Sequence, residues 1–176
     1  MARVPFIDPD PQSELAPLAA RISGARRGKL INVYRALLNS PVLAESWFEH
    51  ISKVRWETSL DGRLREIVII RIAYLAKAPY VLKQHVPKLA AADGVSADEC
   101  AALADWTASD KFDSRERAVL AYADVVTRDA GADDAAFKAV AAHFEPKALV
   151  ELTVLIATYN MHVRVANALA LDLETD

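Results

Sequence analysis

Cysteine occurs once in this sequence, at Cys100. An intramolecular disulfide is therefore excluded, and a reducing compartment is the expected setting. Glycine is scarce, with 5 residues in 176, and neither a glycine-rich phosphate loop nor a Gly-x-Ser-x-Gly nucleophile turn is present. The four histidines, His50, His85, His143 and His162, show no metal-ligand spacing. No cofactor, nucleotide or metal is expected on these grounds. Positive charge is not in excess: the net charge of −3 gives no general attraction to nucleic acid or to an anionic membrane surface. The opening MARVPFIDPDPQ contains no apolar signal core, so a cytoplasmic location is expected. Strand signals, internal repeats and low-complexity tracts are absent as well.

What remains is rich in alanine and leucine, and its apolar residues recur at helical spacing. The reading is one all-α domain over residues 1–176, with an N-terminal arm and accessory helices in 1–39 and the core in 40–176. Pro5, Pro9 and Pro11 make residues 1–11 an extended arm. Its Val4, Phe6 and Ile7 can dock on the same domain or on a second subunit. Leu15, Leu18 and Ile22 suit a short helix ending near Gly24, and Leu30, Val33, Tyr34 and Leu37 suit another over about Lys29–Leu38. The basic run Arg26-Arg27-Gly28-Lys29 reads as a solvated helix start rather than a phosphate site. Ser40-Pro41 offers a cap and a first helical residue. Leu43, Trp47, Ile51 and Val54 follow as an apolar stripe, with Trp47 and Trp56 taken as core or subunit contact rather than a ligand platform.

Farther on, Ser96 to Glu99 has the form of a capping box, and Ser114 a cap before Val119, Tyr122, Val125 and Val126. Phe137, Val140 and Ala141 mark a short helix. Glu145-Pro146 opens the longest one, running to about Leu171. Glu151, His162 and Arg164 interrupt its apolar run, which argues for a buried core helix and against a membrane span. Thr153, Asn160, Arg164 and Asn167 form a polar seam along one side that needs partners.

The chemistry concentrates in Leu60–Leu89, LDGRLREIVIIRIAYLAKAPYVLKQHVPKL. Ser59 or Asp61 can start a helix whose Ile67–Leu75 run is apolar almost all round, as in a bundle core or a subunit interface. Lys77-Ala78-Pro79 breaks it, Pro79 opens the next helix, Pro87 should kink that helix, and Gly94 closes the unit. Glu66 shares a face with Ile70 and Ala73, and His85 shares one with Val81, Leu82 and Leu89. A carboxylate among aliphatic side chains needs a partner, and His85 is the nearest candidate.

These residues resemble the carboxymuconolactone decarboxylase / alkylhydroperoxidase D-like superfamily over roughly residues 40–171. In the peroxidase branch a glutamate precedes a Cys-x-x-Cys and a histidine at fixed spacing across two helices. Glu66 and His85 stand in the glutamate and histidine places, and Ala78 and Val81 in those of the two cysteines. The decarboxylase branch usually carries an acid where Val81 stands. The resemblance implies an alkylhydroperoxidase D-like helical bundle with a central antiparallel helix pair over Leu60–Ala92. It also implies self-association as a homo-oligomer, whether trimer, hexamer or dimer.

Without the cysteine pair, dithiol peroxidase chemistry lacks both attacking and resolving thiols. Acid–base chemistry remains: His85 as acid or base, with Glu66 setting its tautomer. Tyr80 and Val81 would line the substrate site, and Arg71 or Arg164 would anchor a substrate carboxylate. Three functions follow. The first is a cofactor-independent lyase, decarboxylase or isomerase acting on a small lactone or carboxylic acid. The second is a non-catalytic oligomeric binding protein in which Glu66 and His85 survive as a buried pair. The third is a peroxidase-related enzyme without the usual cysteines.

Overall fold

The computed structural model describes residues 1–26 and 28–175, and all regular structure among them is helical. The order is α1 (Ala16–Gly24), α2 (Asn32–Leu37), α3 (Pro41–Trp56), α4 (Gly62–Leu75), α5 (Pro79–Gln84), a π-helical turn (His85–Leu89), α6 (Ala90–Ala92), α7 (Ala97–Ala102), a 3-10 turn (Leu103–Ala108), α8 (Ser114–Asp129), α9 (Asp134–Ala141) and α10 (Pro146–Ala168).

α4 is the axis of the bundle. Asp61 caps it, its side chain accepting from the Leu64 amide at 2.7 Å. Every residue from Leu64 to Ala73 is buried, because α8, α10, α5 and the 3-10 turn all pack on it. No face is left for solvent, which accounts for the uninterrupted aliphatic run. After Ala76 the chain turns sharply: Lys77 takes φ 48° and Pro79 starts α5. α5 and the π turn then run back antiparallel to α4, so that Glu66 meets His85 and Arg65 meets Asp93. The π turn includes Pro87, which has no N–H to give to an α-helical ladder. Gly94, at φ 77°, ends the unit in the left-handed region that glycine tolerates best. No helix among the described residues is long and apolar enough to cross a membrane.

The N-terminal arm lies on its own domain. Arg3 N donates to Leu169 O at 2.8 Å, Ile7 N donates to Arg35 O at 3.0 Å, and the Arg35 guanidinium pairs with Asp8 and covers the Phe6 ring. The polar seam of α10 also finds partners: Thr153 bonds Tyr122, Asn160 bonds Thr127, Arg164 bonds Asn160, and Asn167 bonds the Ala76 carbonyl.

Several local expectations are corrected. α2 starts only at Asn32, and α10 stops at Ala168, where Ala170 turns to φ 49°. Arg26 and Gly28 lie in the turn after α1 rather than at a helix start. Arg27 lies outside the described residues. The Ser40 hydroxyl makes no capping bond, and α8 is capped by Asp113, whose carboxylate completes a box with Glu116. Leu43 and Trp56 are exposed rather than core, and so is Phe137. The buried face of α3 is Ala44, Phe48, Ile51, Val54 and Arg55. That face is rotated from the Leu43 and Trp47 edge, because Tyr34 packs edge-on against Phe48.

Candidate active site

Three helices deliver one buried polar cluster. α4 supplies Glu66, fully enclosed at 0% exposure, and the π turn supplies His85 at 5%. Their side chains meet, with Nδ1 of His85 2.6 Å from Oε2 of Glu66. α3 supplies Arg55, whose Nη2 donates to the other carboxylate oxygen at 2.9 Å. Nη1 of Arg55 donates to the Tyr159 hydroxyl of α10 at 3.2 Å and lies 3.5 Å from Nε2 of His85. The Tyr159 ring closes the remaining side, edge-on to the imidazole at 5.6 Å between centroids.

The charges follow from these contacts. Burial opposes ionisation of Glu66, but the imidazole beside it and the Arg55 and Arg65 guanidinia outweigh that and hold its carboxyl below the usual carboxylate range. Burial also drives the His85 pKa down, helped by the two arginines and opposed by Glu66. The neutral imidazole is therefore the resting form at neutral pH, with Nδ1–H donating to Glu66. Nε2 is left as the unprotonated nitrogen, its lone pair facing the Arg55 Nη1 donor at 3.5 Å, and it is the nitrogen through which a proton-transferring histidine would act. Burial raises the Tyr159 hydroxyl, which stays protonated.

Of the residues expected at the site, Glu66 and His85 are brought together. Val81 is buried on α5 beside Ala78, in a dry stretch where the thiols of the peroxidase branch would stand. Tyr80 is committed elsewhere: its hydroxyl donates to Glu174 at 2.8 Å and accepts from the Val33 amide at 3.1 Å. Arg71 is also corrected. Its Nε and Nη2 each reach Asp124 at 2.6 Å, and Nη1 donates to the Leu103 and Ala104 carbonyls at 2.9 Å. It clamps α4 to α8 and the 3-10 turn, and four of its five N–H donors are taken by these bonds. Arg164 is exposed and lines an open groove with Thr127, Arg128 and Asn167, with no hydrogen bond to the Glu66 cluster. Cys100 is buried in α7, with its thiol pushed up by burial and then by Glu99. A raised thiol is a poor nucleophile.

Sequence reasoning missed Arg55 and Tyr159. Arg55 did carry a signal: it falls four residues after Ile51 and seven after Phe48, a cation on an apolar helical stripe. Tyr159 sits within an apolar run and carries no comparable mark.

Residues 41–125, which hold Arg55, Glu66 and His85, match the model of the carboxymuconolactone decarboxylase family. This part of the chain is similar to that family. A curated relative, YnjA of Escherichia coli, is 35% identical over 116 residues, or 65% of this chain. The chain spans 63% of that relative's length. Among solved structures, a protein of unknown function from Agrobacterium tumefaciens, provisionally described as the antioxidant defence protein AhpD, is 26% identical with a TM-score of 0.75. That match covers 83% of this chain and 98% of the other. A peroxidase-related protein from Silicibacter superposes with a TM-score of 0.84 at 19% identity, covering 99% and 92% of the two chains. The fold is the AhpD-like all-α bundle. The residues that match the family model run from α3 into α8, and α10, beyond them, adds Tyr159.

Proposed function

We propose that the protein is a cofactor-independent lyase, a decarboxylase or isomerase, acting on a small lactone or carboxylic acid through His85. The observation that carries this reading is the 2.6 Å contact between Nδ1 of His85 and Glu66, which leaves Nε2 as the working nitrogen. In an isomerisation, Nε2 takes the proton from the carbon next to a carbonyl. Glu66 stabilises the imidazolium so formed, and the proton returns at the new position. In a decarboxylation, Nε2 of His85 first takes up a proton from solvent, Glu66 stabilising the imidazolium; the carbon–carboxylate bond then breaks, carbon dioxide leaves, the electron pair enters an enolate, and the imidazolium returns its proton to the carbon. Both routes build negative charge on an oxygen. Arg55 Nη1 and the Tyr159 hydroxyl, 3.2 Å apart beside Nε2, are the donors suited to meet it.

A second reading, a non-catalytic binding protein, is favoured by the near-complete enclosure of His85 and by apolar Ala78 and Val81 at the cysteine places. Assays on small lactones and carboxylic acids separate the two. His85→Ala should reduce turnover by about 10²–10⁴-fold while the helical circular dichroism is retained. Full turnover in that variant eliminates the lyase reading. Ligand binding with no turnover by the wild type favours the binding protein.

We also propose that a second copy of the chain covers the exposed apolar residues Val150, Val154 and Met161, which recur at helical spacing along α10. Light scattering should give a homo-oligomer, and Val154→Glu should shift it to monomer. A wild-type monomer would sink this assembly.

A further inference from the structure

Two arginines meet beneath one indole. Arg55 of α3 and Arg65 of α4 are only 7% and 6% exposed, while Trp56 above them is 56% exposed. Their guanidinium carbons lie 4.7 Å and 5.0 Å from the centre of the same Trp56 ring. Two buried guanidinia require anions. Glu66 is the carboxylate fully enclosed with them, and it already receives Arg55 Nη2 and the His85 imidazole. Asp93, which bonds Arg65 Nη2 at 2.9 Å, sits at the partly exposed rim.

The donors are not all used. The Nε atoms of both Arg55 and Arg65 are buried without a hydrogen-bond partner among the described residues. Arg65 Nε comes within 4.0 Å of Glu66 Oε1, an electrostatic contact too long for a hydrogen bond. Folded proteins rarely leave a buried charged donor unsatisfied, and here two belong to guanidinia that share one indole ring. Stacking on Trp56 does not satisfy them, because an N–H donates in the guanidinium plane while the indole covers its face. Trp56 is the last residue of α3, so its side chain can swing without disturbing the helix behind it.

We propose that Arg55 and Arg65, roofed by Trp56, are the anchor for the carboxylate of the ligand that His85 handles. This rests on the reading of His85 given above and adds the ligand's charge and binding group. A carboxylate offers two coplanar acceptor oxygens, the complement of two converging guanidinium edges. Arg55 also links anchor and base, since its Nη1 lies 3.5 Å from His85 Nε2. A ligand held there by its carboxylate keeps its adjacent carbons near that nitrogen, so small carboxylic acids and carboxylated lactones fit better than neutral compounds.

The test uses the whole protein with benzoate as the probe and benzamide as its uncharged counterpart, followed by calorimetry and tryptophan fluorescence. Benzoate should bind saturably and change the fluorescence, and benzamide should do neither. Arg65→Gln should weaken benzoate by about tenfold or more. Arg65→Lys, which keeps the charge but loses the planar fork, should fall between. Trp56→Phe should retain binding and lose the fluorescence change. Equal binding of the two probes, no benzoate binding up to its solubility, or unchanged affinity in both Arg65 variants overturns the anchor. Neither binding readout depends on turnover. Benzoate binding through Arg65 in a protein inert toward every lactone overturns the lyase reading alone. Turnover that survives both Arg65 variants overturns the anchor alone.

Discussion

Glu66→Gln should destabilise the protein by about 3–5 kcal/mol, the usual penalty for removing one partner of a buried ion pair. Glutamine preserves the shape and can still accept from Arg55, so packing loss contributes little. What disappears is the one fully enclosed negative charge beside Arg55 and Arg65, which are both buried, leaving only Asp93 at the rim. His85 must also exchange tautomer or turn its Nδ1–H toward an amide. For a chain of this size, 1 kcal/mol corresponds to roughly 2–4 °C, so the melting temperature should fall by roughly 6–20 °C. Thermal unfolding followed by far-ultraviolet circular dichroism measures it. Adding Arg55→Met to Glu66→Gln should restore part of the loss, because a cation is removed with its anion. A melting temperature within about 2 °C of wild type in the single variant would falsify the claim that Glu66 neutralises these arginines.

Acid should weaken the fold well above the carboxylate range, and His162 should dominate the effect. Its ring stacks on Tyr159 at 5.7 Å and tilts against Trp47 at 5.5 Å, with Nδ1 buried and without a partner. Burial first, then the charges of His85, Arg55 and Arg26, push its pKa down to about 3 from an ordinary 6.5. A histidine depressed in the folded state stays neutral there while the unfolded chain takes up the proton. Stability is therefore lost as pH falls from about 6.5 toward about 3. At about 1.4 kcal/mol per unit, the full window corresponds to a loss on the order of 2–5 kcal/mol, the lower end allowing for the ring's partial exposure. His85, also depressed, adds a slope of the same sign. Glu66, held below the carboxylate range, adds a loss of the same sign that begins only as pH falls below its ordinary value of 4.5. His162→Phe keeps both ring contacts and removes the titration. Urea unfolding between about pH 7 and about pH 5 should show a shallower stability–pH slope in this variant than in wild type. Identical slopes would mean that His162 titrates as an exposed histidine.

How much of this was legible depends on where the energetic demand lay. A lone acid on an aliphatic helix face announces its need for a partner, and a sharp break after Leu75 returns the chain so that His85 can be it. That pairing was readable from nineteen residues of local sequence. Arg71 shows the opposite case. It sits on the same apolar helix and invites a substrate role, yet Asp124, 53 positions away, takes two of its donors. Tyr80 is likewise claimed by Glu174, 94 positions away. Such partners come from elements whose approach no local spacing encodes. Trp56 misled for a related reason: its size suggested core, but α3 turns Phe48 and Arg55 inward and leaves the indole as a cover over two guanidinia.

The sequence by itself determined the all-helical bundle, the breaks at Lys77–Pro79 and Asp93–Gly94, the single cysteine, and the acid–imidazole pair. Each is a matter of local periodicity, backbone freedom or residue identity. Only the tertiary structure decided that Arg55 and Tyr159 join the Glu66–His85 cluster, that Arg71 and Tyr80 serve the scaffold, and that His162, half-buried with its Nδ1 enclosed, is held without a proton. Those outcomes depend on which helix faces meet. Packing brings together groups with opposing needs for charge and solvent, and the side chain that wins each contest is fixed by the whole bundle rather than by its neighbours in the chain.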